Sequence, residues 1–182
     1  MALPQEHVKT IEDINTLPEG TLAELIDGQI YYQASPSKTH QRISRELLVV
    51  IDSYIKSGKG SCEVYSAPFD IFINNDESEC FIPDISIICN PDIVKERGCY
   101  GAPDWIIEIT SPSTASNDYL LKSVKYHAAG VKEYWIVNPS KEIVSIYNFS
   151  EKNYIQQNYT FKDKVKVNIF DDLVIDFSAL NL

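Results

Sequence analysis

Hydrophobic positions recur along the chain in two rhythms, and the switches between them mark the elements. Residues 10–17 (TIEDINTL) have the pattern of a short helix, stopped by Pro18-Glu19-Gly20. TLAELI (21–26) and QIYYQA (29–34) then read as two strands flanking Asp27-Gly28, a dipeptide typical of a tight hairpin turn. Ser35-Pro36-Ser37 offers a helix start. Ile43, Leu47, Val50, Ile51, Tyr54 and Ile55 follow at helical spacing, so a long helix is expected over 38–57, ended by Gly58 and Gly60.

The rest reads as strands around one more helix. CEVYSAPFDIFI (62–73) and CFIPDISIIC (80–89) are strand candidates separated by the polar run 74–78. Residues 90–103 look irregular, with Gly98, Gly101 and Pro103. DWIIEIT (104–110) is a strongly apolar strand with one acid inside it, and SPSTASN is a loop and helix cap. A helix is expected over 117–129, closing at Gly130, a standard C-terminal position for glycine. EYWIVN (133–138) has the character of a buried strand. IVSIYNF, NYIQQNYTF and KVKVNIF alternate as an antiparallel edge does, and the apolar segment 173–182 should pack on the body. The strand–helix–strand step across 104–138 favours a mixed α/β fold in one domain spanning 1–182. A mixed sheet would be flanked by helices, with a β-rich N-terminal hairpin and C-terminal strands.

Composition changes this picture little. The 182 residues are 44% hydrophobic and 23% charged, ordinary values for a globular chain able to bury a core. The net charge of −10 argues against a surface coated in basic charge for non-specific nucleic-acid binding. A local basic patch or a bound metal ion can still offset acid locally. Cys62, Cys80, Cys89 and Cys99 form no C-x-x-C pair and are expected to be free thiols in a reducing compartment. Met1–Lys9 lacks the apolar core of a signal peptide, and no apolar run approaches the roughly 20 residues of a membrane span. The expectation is a cytoplasmic protein with no membrane partner.

The candidate chemistry lies in two acids placed where acids are costly. Asp84 sits in FIPDISII and Glu108 in WIIEIT, each among apolar β-formers. Burying a lone carboxylate costs several kcal/mol unless something pairs with it. Either acid alone is more simply an edge residue or the partner of a base. If their strands are neighbours, the two converge at one end of the sheet as a hard-oxygen site for magnesium or manganese. Lys122 lies four residues after Asp118, a spacing that by itself suggests a surface ion pair. Its place on the helix directly after the Glu108 strand would let its side chain swing back to the acids.

Several segments carry a resemblance. ELIDG (24–28), SPSKTHQRIS (35–44), APFDIFI (67–73), IPDISIIC (82–89) and GAPDWIIEITSPST (101–114) resemble the Uma2 family of bacterial restriction-endonuclease-like proteins. So do the D-x-x-x-K-x-x-x-Y of Asp118, Lys122 and Tyr126, and GVKEYWIVNP (130–139). The resemblance runs from about residue 10 to about 178. It implies the PD-(D/E)XK nuclease superfold, with Pro83-Asp84 as the PD motif and Glu108 as the second acid. Thr110 stands where the superfamily's usual lysine would be, and Lys122 matches the lysine that takes over from the next helix.

By that resemblance Asp84 and Glu108 bind Mg2+ or Mn2+, Lys122 is the third catalytic group, and the substrate is DNA. Glu24 and His40 lie in resembling segments and are candidates to flank the metal. Glu46 matches the acid that some superfamily members contribute from their first helix, although Arg42 and Arg45 offer a surface explanation. Asp70 is a strand-end acid that could sit near the site. The SPS at 111–113 is a capping sequence, not a nucleophile, because no G-x-S-x-G surrounds it. Two other readings compete. One is the same fold kept for nucleic-acid or protein binding without chemistry. The other is a homodimer built on the tyrosine-rich strands with Tyr147, Tyr154 and Tyr159.

Overall fold

The computed structural model describes residues 8–59, 61–112, 114–152 and 156–182. In chain order the first elements are α1 (Ile11–Asn15), β1 (Ala23–Ile26), β2 (Gln29–Tyr32) and α2 (Lys38–Tyr54). Then come β3 (Glu63–Ser66), β4 (Asp70–Phe72), β5 (Ile85–Ile88), β6 (Gly98–Tyr100) and β7 (Trp105–Ile109). The chain continues through α3 (Ser123–Ala129), β8 (Glu133–Asn138), β9 (Ile143–Asn148), β10 (Gln157–Thr160), β11 (Lys164–Lys166) and β12 (Val174–Asp176).

Local rules account for most of these. Asp27 and Gly28 both have positive φ, 50° and 68°, as the tight turn between β1 and β2 requires. Ser37 caps α2 by accepting the backbone N–H of His40 at 3.2 Å. The helix gives way to a π-helical turn, Ile55–Lys59, where Gly58 turns to φ 81°. Gly60, the other expected stop, lies outside the described residues. Gly130 closes α3 at φ 95°, as expected.

The stretch 62–73 is not one strand. It breaks at the Ala67–Pro68 bond, because proline has no N–H to give a ladder. β3 joins the main sheet, whereas β4 pairs in parallel with β6, inside the segment expected to be irregular. A Cβ at Gly98 would lie 2.3 Å from the Asp70 carbonyl oxygen, so glycine is what lets β6 approach β4.

The main sheet has six strands in the order β10-β9-β8-β7-β5-β3. β7 and β8 are parallel and the other pairs antiparallel. The parallel pair needs a crossover, which the helical segment ending in α3 supplies. Alternation divides the side chains between two layers. Trp105, Ile107 and Ile109 of β7 pack with Ile43, Leu47 and Ile51 of α2 and with C-terminal residues including Ile175 and Phe177. Ile106 of β7 packs the other way, with Tyr126 of α3, Tyr134, Phe81 and Ile26. Glu108 shares the parity of Ile106, so its face is the one covered by α3 and the hairpin.

One expectation needs correction. Cys62 and Cys89 are joined in a disulfide rather than free. They flank the β3–β5 pair, where Glu63 faces Ile88, so the antiparallel register brings them opposite each other. Cys80 and Cys99 remain buried thiols. Thiols therefore give no argument for a reducing compartment. Of the three tyrosines named for a homodimer, two are described and neither is fully exposed. Tyr147 is buried, Tyr159 is half-buried against the core, and Tyr154 lies outside the described residues. No described helix is long and apolar enough to cross a membrane.

One buried acid holds the C-terminal segment to the sheet. Glu133 has no exposed surface. Its carboxylate accepts the Trp135 indole N–H at 2.7 Å, the Asn168 backbone N–H at 2.7 Å and the Ile169 N–H at 3.0 Å. Glu133→Ala should therefore cost at least about 3 kcal/mol in urea unfolding, because four donors, the Asn168 side-chain amide included, lose their acceptor. A loss below about 1 kcal/mol would mean that solvent replaces the carboxylate.

Candidate active site

β5 and β7 are neighbours, with Ile85 facing Ile107 and Ser86 facing Ile106. Carried one residue further, this register sets Asp84, at the entry to β5, against Glu108. Asp84 Oδ2 accepts the Ile109 backbone N–H at 2.7 Å and lies 3.1 Å from His40 Nε2. The first bond fixes the carboxylate to the end of β7. The second ties it to the first turn of α2.

Lys122 is the hub of the cluster. Its ammonium donates to Glu108 Oε1 at 2.8 Å and to Glu24 Oε1 at 2.9 Å, with Asp118 Oδ1 3.7 Å away. The residue is 4% exposed, so this is no surface ion pair. Glu24 Oε1 also accepts the Ile82 backbone N–H at 2.9 Å. Tyr126 donates its hydroxyl to Glu108 Oε1 at 3.0 Å, and Tyr134 donates to the Asp118 carbonyl at 3.1 Å. Asp118 and Lys122 lie on a π-helical turn, Asn117–Lys122, that leads into α3. Such turns are frequent at functional sites.

The cluster holds more acid than base. Burial pushes the Glu108 carboxyl well above the usual range; Lys122 opposes this, and the charges of Asp118, Asp84 and Glu24 add to it. Asp118 is pushed up to about 6 by burial, with Lys122 and a hydrogen bond from Thr114 opposing. Burial alone would lower the pKa of Lys122, but Glu108, Glu24 and Asp118 outweigh it and raise it, so the ammonium keeps its proton at neutral pH. Burial likewise disfavours charge on His40, and the bond to Asp84 reverses this and raises its pKa.

The sequence candidates separate accordingly. Asp84, Glu108, Lys122, Glu24 and His40 come together. Glu46 does not: it pairs with Arg45 at 2.6 Å on the outside of α2. Asp70 opens β4 in the small sheet, half-buried, with its pKa raised by burial and no contact to Lys122. Ser111 caps its loop through Thr114, whose hydroxyl accepts the Ser111 N–H at 3.0 Å, and Ser113 lies outside the described residues. Sequence reasoning treated Asp118 only as a helical partner and gave Tyr126 no role. Their i, i+4, i+8 spacing around Lys122 was the available signal, since it places all three near one helix face.

Among the described residues no three His, Cys, Asp or Glu side chains form a ready-made metal shell. The donor set nevertheless suits magnesium. This ion takes one or two carboxylates from a protein and completes its octahedron with water and substrate phosphates. The surplus of buried acidic groups around one lysine is also a donor set that a divalent cation would suit.

Two stability measurements test this electrostatic picture. Lys122→Met should lose about 3–5 kcal/mol at pH 7, the cost of stranding a buried charge, and adding Glu108→Gln should recover part of that loss. Additive losses would show that the two groups are not coupled. Asp118, with its raised pKa, holds a proton in the folded state that the unfolded chain gives up. Its stabilising contribution is therefore present below about pH 4 and lost as pH rises towards 6. Asp118→Asn should gain relative to the parent by up to about 3 kcal/mol between pH 4 and 7. A pH-independent difference would contradict the burial of a charged Asp118.

Comparison with known proteins agrees with this architecture. The chain is 27% identical over 147 residues to the uncharacterized protein slr1290 of Synechocystis, covering 79% of this chain and 75% of that protein. The crystal structure of a "putative nuclease belonging to DUF820" from Anabaena variabilis superposes with a TM-score of 0.75 at 23% identity. It covers 94% of this chain and 96% of its own. The shared fold is the restriction-endonuclease-like one, a mixed sheet flanked by helices. The family model described as "Putative restriction endonuclease" matches residues 11–178, and the chain thus belongs to the Uma2 family.

Proposed function

We propose that this protein is a divalent-metal-dependent endonuclease that hydrolyses phosphodiester bonds in DNA, with Asp84, Glu108 and Lys122 as its catalytic groups. The observation that carries the reading is the opposition of Asp84 and Glu108 on neighbouring strands beside a buried lysine, with acid in excess. Asp84 and Glu108 would hold Mg2+ or Mn2+. The ion, when bound, would polarise the scissile phosphate and lower the pKa of an attacking water.

The chain's own groups divide the remaining work. Lys122 keeps its proton, so it serves as a fixed positive charge for the phosphate oxygens and not as a base. Its bond to Glu108, together with the Tyr126 hydroxyl, holds that carboxylate in one orientation. Glu24 fixes Lys122 from the opposite side. The Ile109 N–H and His40 do the same for Asp84. Such preorganisation keeps the cost of rearrangement out of the reaction step.

Titration calorimetry with Mn2+ needs no choice of substrate. The parent should bind and Asp84→Ala should not. Plasmid cleavage in Mg2+ should fall at least about 100-fold in Asp84→Ala and in Glu108→Ala, since even supporting residues around a metal are worth 10–100-fold. Metal-dependent cleavage that survives both changes would end the reading. DNA binding without metal binding or cleavage in the parent would instead identify a binding module.

A further inference from the structure

The strand ends nearest the acids carry a second feature, a row of cations that hold no acid. β8 ends with Asn138 facing Ile143 of β9, and Ile143 in turn faces Thr160 at the end of β10. The turn after Asn138 carries Lys141 and the turn after Thr160 carries Lys162, both exposed. Because β7 runs parallel to β8, with Ile109 facing Val137, these turns leave the sheet at the end where Glu108 sits. On the other side of the acids, the His40–Asp84 contact fastens the first turn of α2 to the same end. That turn presents exposed Lys38 and half-exposed Arg42.

Elsewhere the surface lysines divide: Lys95, Lys152 and Lys166 form no ion pair among the described residues, while others are occupied. Lys9, Lys56, Lys132 and Lys164 each hold a carboxylate. Lys38, Arg42, Lys141 and Lys162 form no ion pair among the described residues. Two acids share their turns. Asp163 is turned back onto Thr160, accepting its N–H at 2.7 Å and its hydroxyl at 2.8 Å, and Glu142 is exposed. In a chain of net charge −10, the topology gathers four cations without ion pairs at one sheet end.

We propose that this end of the sheet is a track for the backbone of one DNA strand. Lys141 and Lys162 would take phosphates on one side of the Asp84–Glu108 pair, and Lys38 and Arg42 on the other. From β10 to β5 is four strand spacings, roughly 19 Å. Measured along the duplex axis, that length corresponds to about five or six phosphates of one strand, at a rise of roughly 3.4 Å each. The nuclease reading supplies the partner, but the track itself depends on charge and not on chemistry.

The test is therefore binding without metal. A fluorescein-labelled 20-base-pair duplex is titrated with protein in EDTA at several salt concentrations, followed by anisotropy. Lys141→Glu/Lys162→Glu and Lys38→Glu/Arg42→Glu should each weaken binding at least about tenfold. Each should also flatten the slope of log K against log salt by about 2, since each lost phosphate contact removes about 0.9. Lys152→Glu, beyond the opposite end of β9, should change neither quantity. Double variants that bind like the parent, or a control that loses as much as they do, would overturn the track. A parent that ignores the duplex at low salt would also overturn it. Loss of cleavage or Mn2+ binding with these differences intact would sink the nuclease reading alone.

Discussion

The ammonium of Lys122 lies between Glu24 and Glu108, and the site is organised around it. The three residues come from the N-terminal hairpin, the central strand β7 and the helical crossover that follows it. Each carboxylate alone would be an uncompensated charge in an apolar layer. A single cation at 2.8 and 2.9 Å lets both be buried, and in doing so it pins the hairpin and the crossover to the face of the sheet. The compensation is incomplete, because Asp118 and Asp84 add two more acids nearby. Burial and these neighbouring charges are what raise the pKa of Glu108.

Glu133, on the other face of the same sheet, shows what a purely structural buried acid looks like. Its partners are neutral N–H groups from an indole, from the Asn168 side-chain amide and from the backbone of the C-terminal segment. They saturate the carboxylate and fix the chain without involving another charge. The acids around Lys122 share a charge instead of saturating one another. Two acids in equally apolar strands thus have different uses, and what separates them is the identity of their donors, not the depth of burial.

The sheet topology explains why the acids and the unpartnered cations fall at one end. A parallel β7–β8 pair requires a crossover, and the crossover brings Asp118, Lys122 and Tyr126 over the face that carries Glu108. The same strand direction sends the β8–β9 turn and the turn after β10 towards that end. α2 begins there because His40 and Asp84 meet. Family membership and the fold shared with the Anabaena variabilis structure agree with this layout, while the charges belong to this chain's own residues.

The amino-acid sequence by itself determined what local rules control. The Asp27-Gly28 hairpin, the course of α2, the buried strands β7 and β8 and the Gly130 stop follow from periodicity and turn chemistry, which need only a few neighbouring residues. Family-like motifs single out Asp84, Glu108 and Lys122, and apolar flanks make both acids conspicuous. Tertiary structure alone decided the rest, since each remaining feature joins residues far apart in the chain. Glu24 meets Lys122 across 98 positions, and no spacing rule reaches that far. The split of 62–73 between two sheets, the strand β6 and the Cys62–Cys89 bond depend on which strands become neighbours. The burial of Asp118 depends on which side of its helix meets the sheet. Register and packing set those contacts, and both are properties of the assembled chain.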